Sequence, residues 1–538
     1  MVSNEVFIGA GAIVTMAPEC DIFLNECTVS GATATIVADV TNDFFLVPDL
    51  YTGCVAKIDT GADGVAEQYL MIKSNTISTI TFDEDISQVP TGPVDITILA
   101  YGAPVPGKRA SSTLGTILSD NWLGLVNTFS PPSIEIEMKQ LNLAAAGGRN
   151  FDYQFKTRET VSGASLDISL NNGSWLYYAL GKITSMSGGE SSTDLASNSD
   201  ATIGTTAGDN ATGHRGFFID QSSKTMVRAK DGVLYPPMGI AGLPRYRHDD
   251  ANIGTEVGGN LLQQWDGTPI TYTFGEANGD ILPSFSLEVL YSKDGRTGTT
   301  AIDSLTPNEN MISRVFTGCQ VNSLTLNFEE GQELKTSLDL MTRRAFDMPN
   351  ANIPMHGVTE TAVLSASAGL SNFSANATDN YPFLYSGGAI KLFGQTVSRI
   401  KTGSLTISNN LTAQTYIGNY NREIMSAHIP AQRTYELSLT MMITDTEVWD
   451  ELRNANESTG DIQLTFSKDS STVNSGTPET ETISIILQDY LINGVTIPFP
   501  EDKGPLEVEV TATARTLGTT SYTGKWGIVT VGGVASQN

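Results

Sequence analysis

Short runs of alternating apolar and polar residues recur along the whole chain, and they predict strands joined by turns. Residues 1–105 carry seven such runs: VFIGAGAIVTM, ATATIVADV, FFLVPDL, CVAKID, EQYLMIKS, TISTITFD and VDITILA. They predict a compact N-terminal β domain. APVPGKRASS (103–112) has the Pro/Gly/Ser content of a linker, and ILSDNWLGLV predicts a short helix with Asp120 near its start. In PPSIEIEMKQLNL, Ile134, Ile136 and Met138 share one strand face, while Glu135, Glu137 and Lys139 share the other. FDYQFKTRETVSGASLDISL continues the alternation. A short helix then starts at Ser174, with Trp175, Leu176, Ala179 and Leu180 on one stripe. Residues 185–275 are small, polar and turn-rich, which predicts an insertion rather than core.

Two distant stretches match. VNSLTLNFEEGQELKTSLDL from Val321 corresponds to INGVTIPFPEDKGPLEVEVTA from Ile492: an alternating strand, an acidic turn, and a new strand opening at Leu334 and at Leu506. Upstream, Arg149 stands 17 residues before Leu166, and Arg422 stands 17 before Leu439. A short helix led by an aromatic follows each, SWLYYAL with Trp175 and TDTEVWDELRN with Trp449. Thr444 and Glu447 form a capping box for the second. Before each Arg lies another strand, SIEIEM from Ser133 and SLTISNNL from Ser404. One module is therefore expected twice, at 113–350 with the insertion 185–275 and at 385–516 without it, followed by a tail at 517–538.

Composition narrows the function. There are 31 basic and 59 acidic residues, a net charge of −28, so a surface gripping a phosphate backbone is not expected. No run of 18 apolar residues predicts a membrane span, and the start of the chain lacks the basic segment of a secretion signal. Cys20, Cys27, Cys54 and Cys319 have no metal-ligand spacing and read as buried thiols, with a Cys20–Cys27 bridge left open. His214, His248, His356 and His428 stand apart and read as surface or turn residues.

KIDTGADG (57–64) spells the loop of an aspartic protease. That chemistry needs two carboxylates brought together. The chain has a single Asp-Thr-Gly, at 59–61, and Lys57 stands where an apolar residue would back the loop. The stretch reads instead as a hairpin connection between CVAKID and EQYLMIKS. As a calcium loop it would put Gly61 and Leu70 at ligand positions. No nucleophile elbow or nucleotide fingerprint accompanies it. No catalytic, metal or cofactor site is expected, and the chain is read as a non-enzyme.

GRNFDYQFKTRETVSGASLDISLNNGSWLYYALGKI, FTGCQVNSLTLNFEEGQELKTSLDL and the segment from KTGSLTISNNL to TDTEVWDELRN resemble the tail tube proteins of long-tailed bacteriophages, over about 110–516. The resemblance implies a mainly β fold: two tandem β-barrel or sandwich modules, each with a short flanking helix, beside the N-terminal β domain. It implies a structural virion protein, assembled in the host cytoplasm, whose rings stack into a hollow tube that conducts DNA during genome ejection. Implied partners are further copies of the chain, terminator and baseplate-side proteins, a sheath where one exists, and DNA as non-specific cargo; no membrane is implied. With two modules per chain, the expected ring is a homotrimer of pseudo-sixfold symmetry; the alternative is a homohexamer with one module set outside the ring. Glu135 and Glu137 are candidates for the lumen. Gly147, Gly148, Tyr416, Gly418, Asn419 and Tyr420 are candidates for loops reaching the next ring. The alternative from another class is a surface or secreted β-sandwich adhesin, with residues 1–105 as its binding domain.

Overall fold

The computed structural model describes segments within residues 13–187, 217–235, 270–347 and 382–524. The fold is mainly β. Near the N-terminus, Ile22–Val29, Thr35–Val37, Val55–Asp59, Gln68–Asn75, Thr79–Phe82 and Val94–Ile98 close a small barrel. Alternation in these strands turns Ala56, Ile58, Leu70, Ile72, Ile80, Phe82, Ile96 and Ile98 inward. Val55–Asp59 pairs antiparallel with Gln68–Asn75, as the hairpin reading of KIDTGADG expects; Thr60–Gly64 lie outside the described residues.

The main body is one large antiparallel sheet system. Its central run has eight strands, in the spatial order Leu125–Ser130, Ala164–Ser169, Lys335–Met341, Met311–Glu329, Ile400–Ser408, Thr434–Met442, Glu507–Leu517 and Glu479–Thr496. The first four strands and the last four repeat one pattern. Leu166 faces Leu338 as Leu439 faces Val510. A bulge lies between Val126 and Thr128 and again between Ile400 and Thr402. Another lies between Val321 and Ser323, and again between Ile492 and Gly494. Bulges fix register, so these two coincidences tie the two halves together residue by residue. The helix Ser174–Leu180 packs on the first half, with Trp175 and Tyr178 both against Phe285. Its expected counterpart around Trp449 lies outside the described residues apart from helical Asp450.

The structure departs from the sequence reading at several edges. Ile13–Pro18 does not join the N-terminal barrel; it pairs with Phe285–Ser292, as Gly388–Leu392 pairs with Ile462–Ser470. The barrel is thus threaded between two strands of the main body. Pro106–Ser111 pairs with Gly115–Leu118 where a linker and a helix were expected. Ile270–Glu276 pairs with Gly181–Ser187 and buries Tyr272 and Phe274, so the insertion ends earlier than 275. Within the insertion, Phe217–Asp220, Thr225–Arg228 and Leu234–Tyr235 form their own small sheet. Thr520–Gly524 is a strand on Ile270–Glu276 and Glu479–Thr496 rather than a tail.

Polar clamps hold the barrel to the sheet. The buried Glu19 carboxylate accepts hydrogen bonds from Gly102 N at 2.7 Å, Gly318 N at 2.8 Å and Ser286 Oγ at 2.5 Å, and from Ser284 Oγ. Burial pushes its pKa up, against these bonds. Arg343 donates to the Tyr101 and Gly53 carbonyls, and Arg344 to that of Thr52. Gly102 (φ +80°) must be glycine for the clamp to close: a Cβ would lie 2.5 Å from Arg343 Nη1. Deep in the second half, Lys468 and Glu481 form a buried ion pair at 3.5 Å, and Tyr522 Oη donates to Glu481 at 3.0 Å.

Candidate functional site

The eight-strand run has two unlike faces. Its inner face carries Leu166, Ile168, Leu338, Leu340, Leu324, Leu326, Phe328, Leu405, Ile407, Leu437, Leu439, Val508 and Val510, all buried in one core. Period-two alternation puts the intervening residues on the opposite face. One cross-strand row there reads Thr128, Asp167, Ser337, Thr325, Thr406, Glu436, Thr513 and Leu491. A parallel row reads Glu329, Thr402, Thr440, Glu509 and Thr496. Hydroxyl pairs knit the rows: Thr325 Oγ1 and Thr406 Oγ1 are 3.1 Å apart, and Thr128 Oγ1 donates to Asp167 at 2.5 Å. Hydrogen bonds from Thr128 and Ser337 hold the Asp167 carboxyl below its usual range, so it stays ionised. With Asp339, this face presents Asp167, Glu329, Glu436, Glu507 and Glu509; its basic residues include Lys335, Lys401, which pairs with Glu507, and Arg515, which pairs with Asp489. It is hydroxyl-rich and acidic, it spans both halves, and it dips at the seam into a cavity of about 350 Å³ lined by Asn327, Glu329, Thr402, Ser404, Ser438 and Thr440.

The halves join at a seam, Ser323–Glu329 against Thr402–Ser408. The seam is tight at Gly403, where a Cβ would lie 2.3 Å from the Phe328 ring. Buried Asn409 locks one end. Its Nδ2 donates to the Ala179 and Val321 carbonyls, both at 3.0 Å, and its Oδ1 accepts from Arg433 Nε at 2.7 Å.

From the same two strands in each half, an arm projects beyond the sheet. In the first half it is Ile134–Leu141 paired with Tyr153–Val161. Pro131 and Pro132 interrupt the ladder, yet register carries through, from Ser130 opposite Ser165 to Ile134 opposite Val161. In the second half the arm is Thr415–Ile417 paired with Glu423–Met425. Ile136 and Met138 are 53% and 51% exposed, so the apolar face of SIEIEM is not in the core, contrary to the expectation from alternation alone. Phe151, Tyr153 and Phe155 are exposed on the same arm. A two-stranded ribbon with apolar residues in water is marginal by itself.

Glu135 and Glu137 stand exposed on the first arm, opposite Thr160 and Arg158, and not on the acidic sheet face. Tyr416 lies in the second arm, opposite Ile424. Gly147, Gly148, Gly418, Asn419 and Tyr420 lie outside the described residues. The carboxylates of the sheet face were missed by sequence reasoning. Their signal was present in the polar positions of ASLDIS, KTSLDL, TYELSLT and EVEVTA. Among the described residues no His/Cys/Asp/Glu group could hold a metal, and no helix is long and apolar enough to cross a membrane. Cys27, Cys54 and Cys319 are buried, and burial pushes the Cys54 thiol up to about 11.

Comparison with curated proteins gives no match. Among solved structures, the chain is similar to the tube-terminating cap of the anti-feeding prophage, at 12% identity over 26% of this chain and 91% of that one, with a TM-score of 0.18. It is also similar to the sheath–tube complex of the PVC extracellular contractile injection system in its extended state, at 12% identity over 27% and 96%, with a TM-score of 0.19. The model of the phage tail tube protein family matches residues 144–514, more than half of the chain and nearly all of the repeated sheet from its second strand onward, and the chain belongs to that family.

Proposed function

We propose that this chain builds the tail tube by closing into rings of three copies, each copy contributing two tube modules. The observation that carries this reading is the repeated four-strand unit, joined once within the chain, with no further strand among the described residues on the outer edges of Leu125–Ser130 and 491–496. The first module is 113–350 with Ile13–Pro18 added, and the second is 385–516 with Thr520–Gly524 added. Three copies of the eight-strand run give 24 strands. At the usual strand spacing and tilt, such a barrel has a backbone diameter of about 45–50 Å. That bore admits a DNA duplex once side chains are subtracted. Six copies with both modules in one wall would double it.

The acidic face lines the lumen in this reading. Fixed carboxylates repel phosphate, so a passing duplex is not trapped. Glu135 and Glu137, on the arm, belong to the mouth of the ring. The two arms reach the next ring, where their exposed apolar residues find cover. The N-terminal barrel decorates the outside, and terminator, baseplate-side and sheath proteins bind the tube. Assembly takes place in the host cytoplasm, and the role is mechanical, without catalysis.

Electron microscopy of the purified full chain over a range of concentrations tests this. Hollow rings or tubes with three copies per layer are expected. Monodisperse elongated particles at every concentration would sink the reading and favour separate β domains, as in an adhesin.

A further inference from the structure

One polar cluster lies across the two halves of the core. In the second half, Lys468 of Ile462–Ser470 stands directly opposite Glu481 of Glu479–Thr496 in the antiparallel ladder. Their side chains turn inward, 3% and 1% exposed, with Lys468 Nζ 3.5 Å from Glu481 Oε2. In the first half, buried Asn171 lies between the strand Ala164–Ser169 and the helix Ser174–Leu180. Lys468 Nζ crosses to it and donates to its carbonyl oxygen at 2.9 Å. The Phe383 ring covers the amine, its centroid 4.7 Å from Nζ. Phe383 N donates to the Leu170 carbonyl at 2.8 Å, which places Phe383 beside Asn171. Tyr522 Oη donates to Glu481 Oε2 at 3.0 Å.

Three features set this cluster apart from an ordinary ion pair. Burial pulls the Lys468 pKa down, against the opposing effect of Glu481, so this amine gives up a proton more readily than a surface lysine. Two charges taken out of water are a costly way to hold two strands together. Asn171 Nδ2 is buried with no hydrogen-bond partner among the described residues, although buried amide donors are ordinarily paired. An amine, a carboxylate and a side-chain amide enclosed together beside aromatic rings are the groups that a lysine–asparagine condensation needs. Burial also keeps bulk water from competing for the amide carbon.

We propose that Lys468 and Asn171 join in an intramolecular isopeptide bond, with Glu481 moving the protons. Asn171 Cγ lies three bonds from the carbonyl carbon whose oxygen Lys468 already holds, so side-chain rotation brings amine and amide together without moving the backbone. Lys468 passes one proton to Glu481. The lone pair of the neutral amine attacks Cγ, and the carbonyl π pair moves to Oδ1. Glu481 gives its proton to Nδ2 and takes one from Nζ. The Oδ1 pair returns, the Cγ–Nδ2 bond breaks, and ammonia leaves with that bond's electron pair. Glu481 ends protonated, so no unpaired charge stays in the core. The bond ties residues 297 apart in sequence and crosslinks the two modules.

Intact-mass spectrometry of the purified full chain, denatured after folding at neutral pH, tests this. The wild type should weigh less than its sequence by one ammonia. A tryptic digest should contain one branched peptide joining the Asn171 and Lys468 segments, because acylated Lys468 resists cleavage. Lys468→Arg, processed in the same way, should keep its full sequence mass and supplies the reference. Glu481→Gln keeps an acceptor for Tyr522 but cannot carry the proton, and it should keep its full mass too; a complete bond in this variant would overturn the role of Glu481. A wild-type chain at its full sequence mass would overturn the proposal. So would loss of ammonia with Lys468 still cleaved, which marks a cyclic imide at an asparagine instead of a crosslink. Mass reads the single chain, so no outcome depends on whether rings form.

Discussion

His428 reads in sequence as an isolated surface histidine, yet it is buried between the N-terminal barrel and the sheet. Gln320 fixes its role: Gln320 Nε2 donates to the Leu282 carbonyl at 2.6 Å, which leaves Oε1 as acceptor for His428 Nδ1 at 3.2 Å. Tyr101 Oη lies 3.1 Å from the same nitrogen. Burial, and after it the Arg343 guanidinium, pull the His428 pKa down from 6.5 to about 4. The folded chain holds this ring neutral, while the unfolded chain protonates it below 6.5. Its contribution is therefore complete above 6.5 and is lost as pH falls toward about 4. Melting temperature measured at neutral pH and near pH 5 should fall more steeply for the wild type than for His428→Gln. Equal slopes would remove His428 from the clamp.

The arms are the elements whose sequence and environment disagree most. Ile134–Leu141 alternates like a half-buried strand, but alternation states only that one face is apolar, not what covers it. In the isolated chain nothing among the described residues covers Ile136 and Met138. Replacing 139–155 by a two-residue turn should leave the eight-strand run and its rings intact and shorten the stacks to single rings; tubes of wild-type length would show that the arm is not the stacking element. The same physics explains what could be read from the sequence. The repeat was legible because both halves must bury the same alternate positions, as Leu166 and Leu439 do. The partner of Ile13–Pro18 was not legible. A six-residue apolar strand fits the edge of either the barrel or the sheet, and long-range pairing with Phe285–Ser292 decides between them. The acidic face was hidden for a related reason. Asp167, Glu436 and Glu509 are scattered in sequence and meet only through register.

At the scale of the whole molecule, a net charge of −28 is a statement about what the surface avoids. If the acidic sheet face lines the bore, changing its sign should turn a passive conduit into a trap. Glu436 and Glu509 are exposed and on adjoining strands, so Glu436→Lys with Glu509→Lys disturbs no core packing. Rings should still form. Tubes of this variant should retain short linear duplex at low salt, and the logarithm of the retention constant should fall linearly with the logarithm of salt concentration, because binding releases counterions. A covalently closed circle separates inside from outside, because it cannot thread a closed barrel. Retention of the linear duplex alone puts the two lysines in the lumen. Equal retention of the circle puts this face on the exterior, and the tube would then have to be built with its sheet turned the other way.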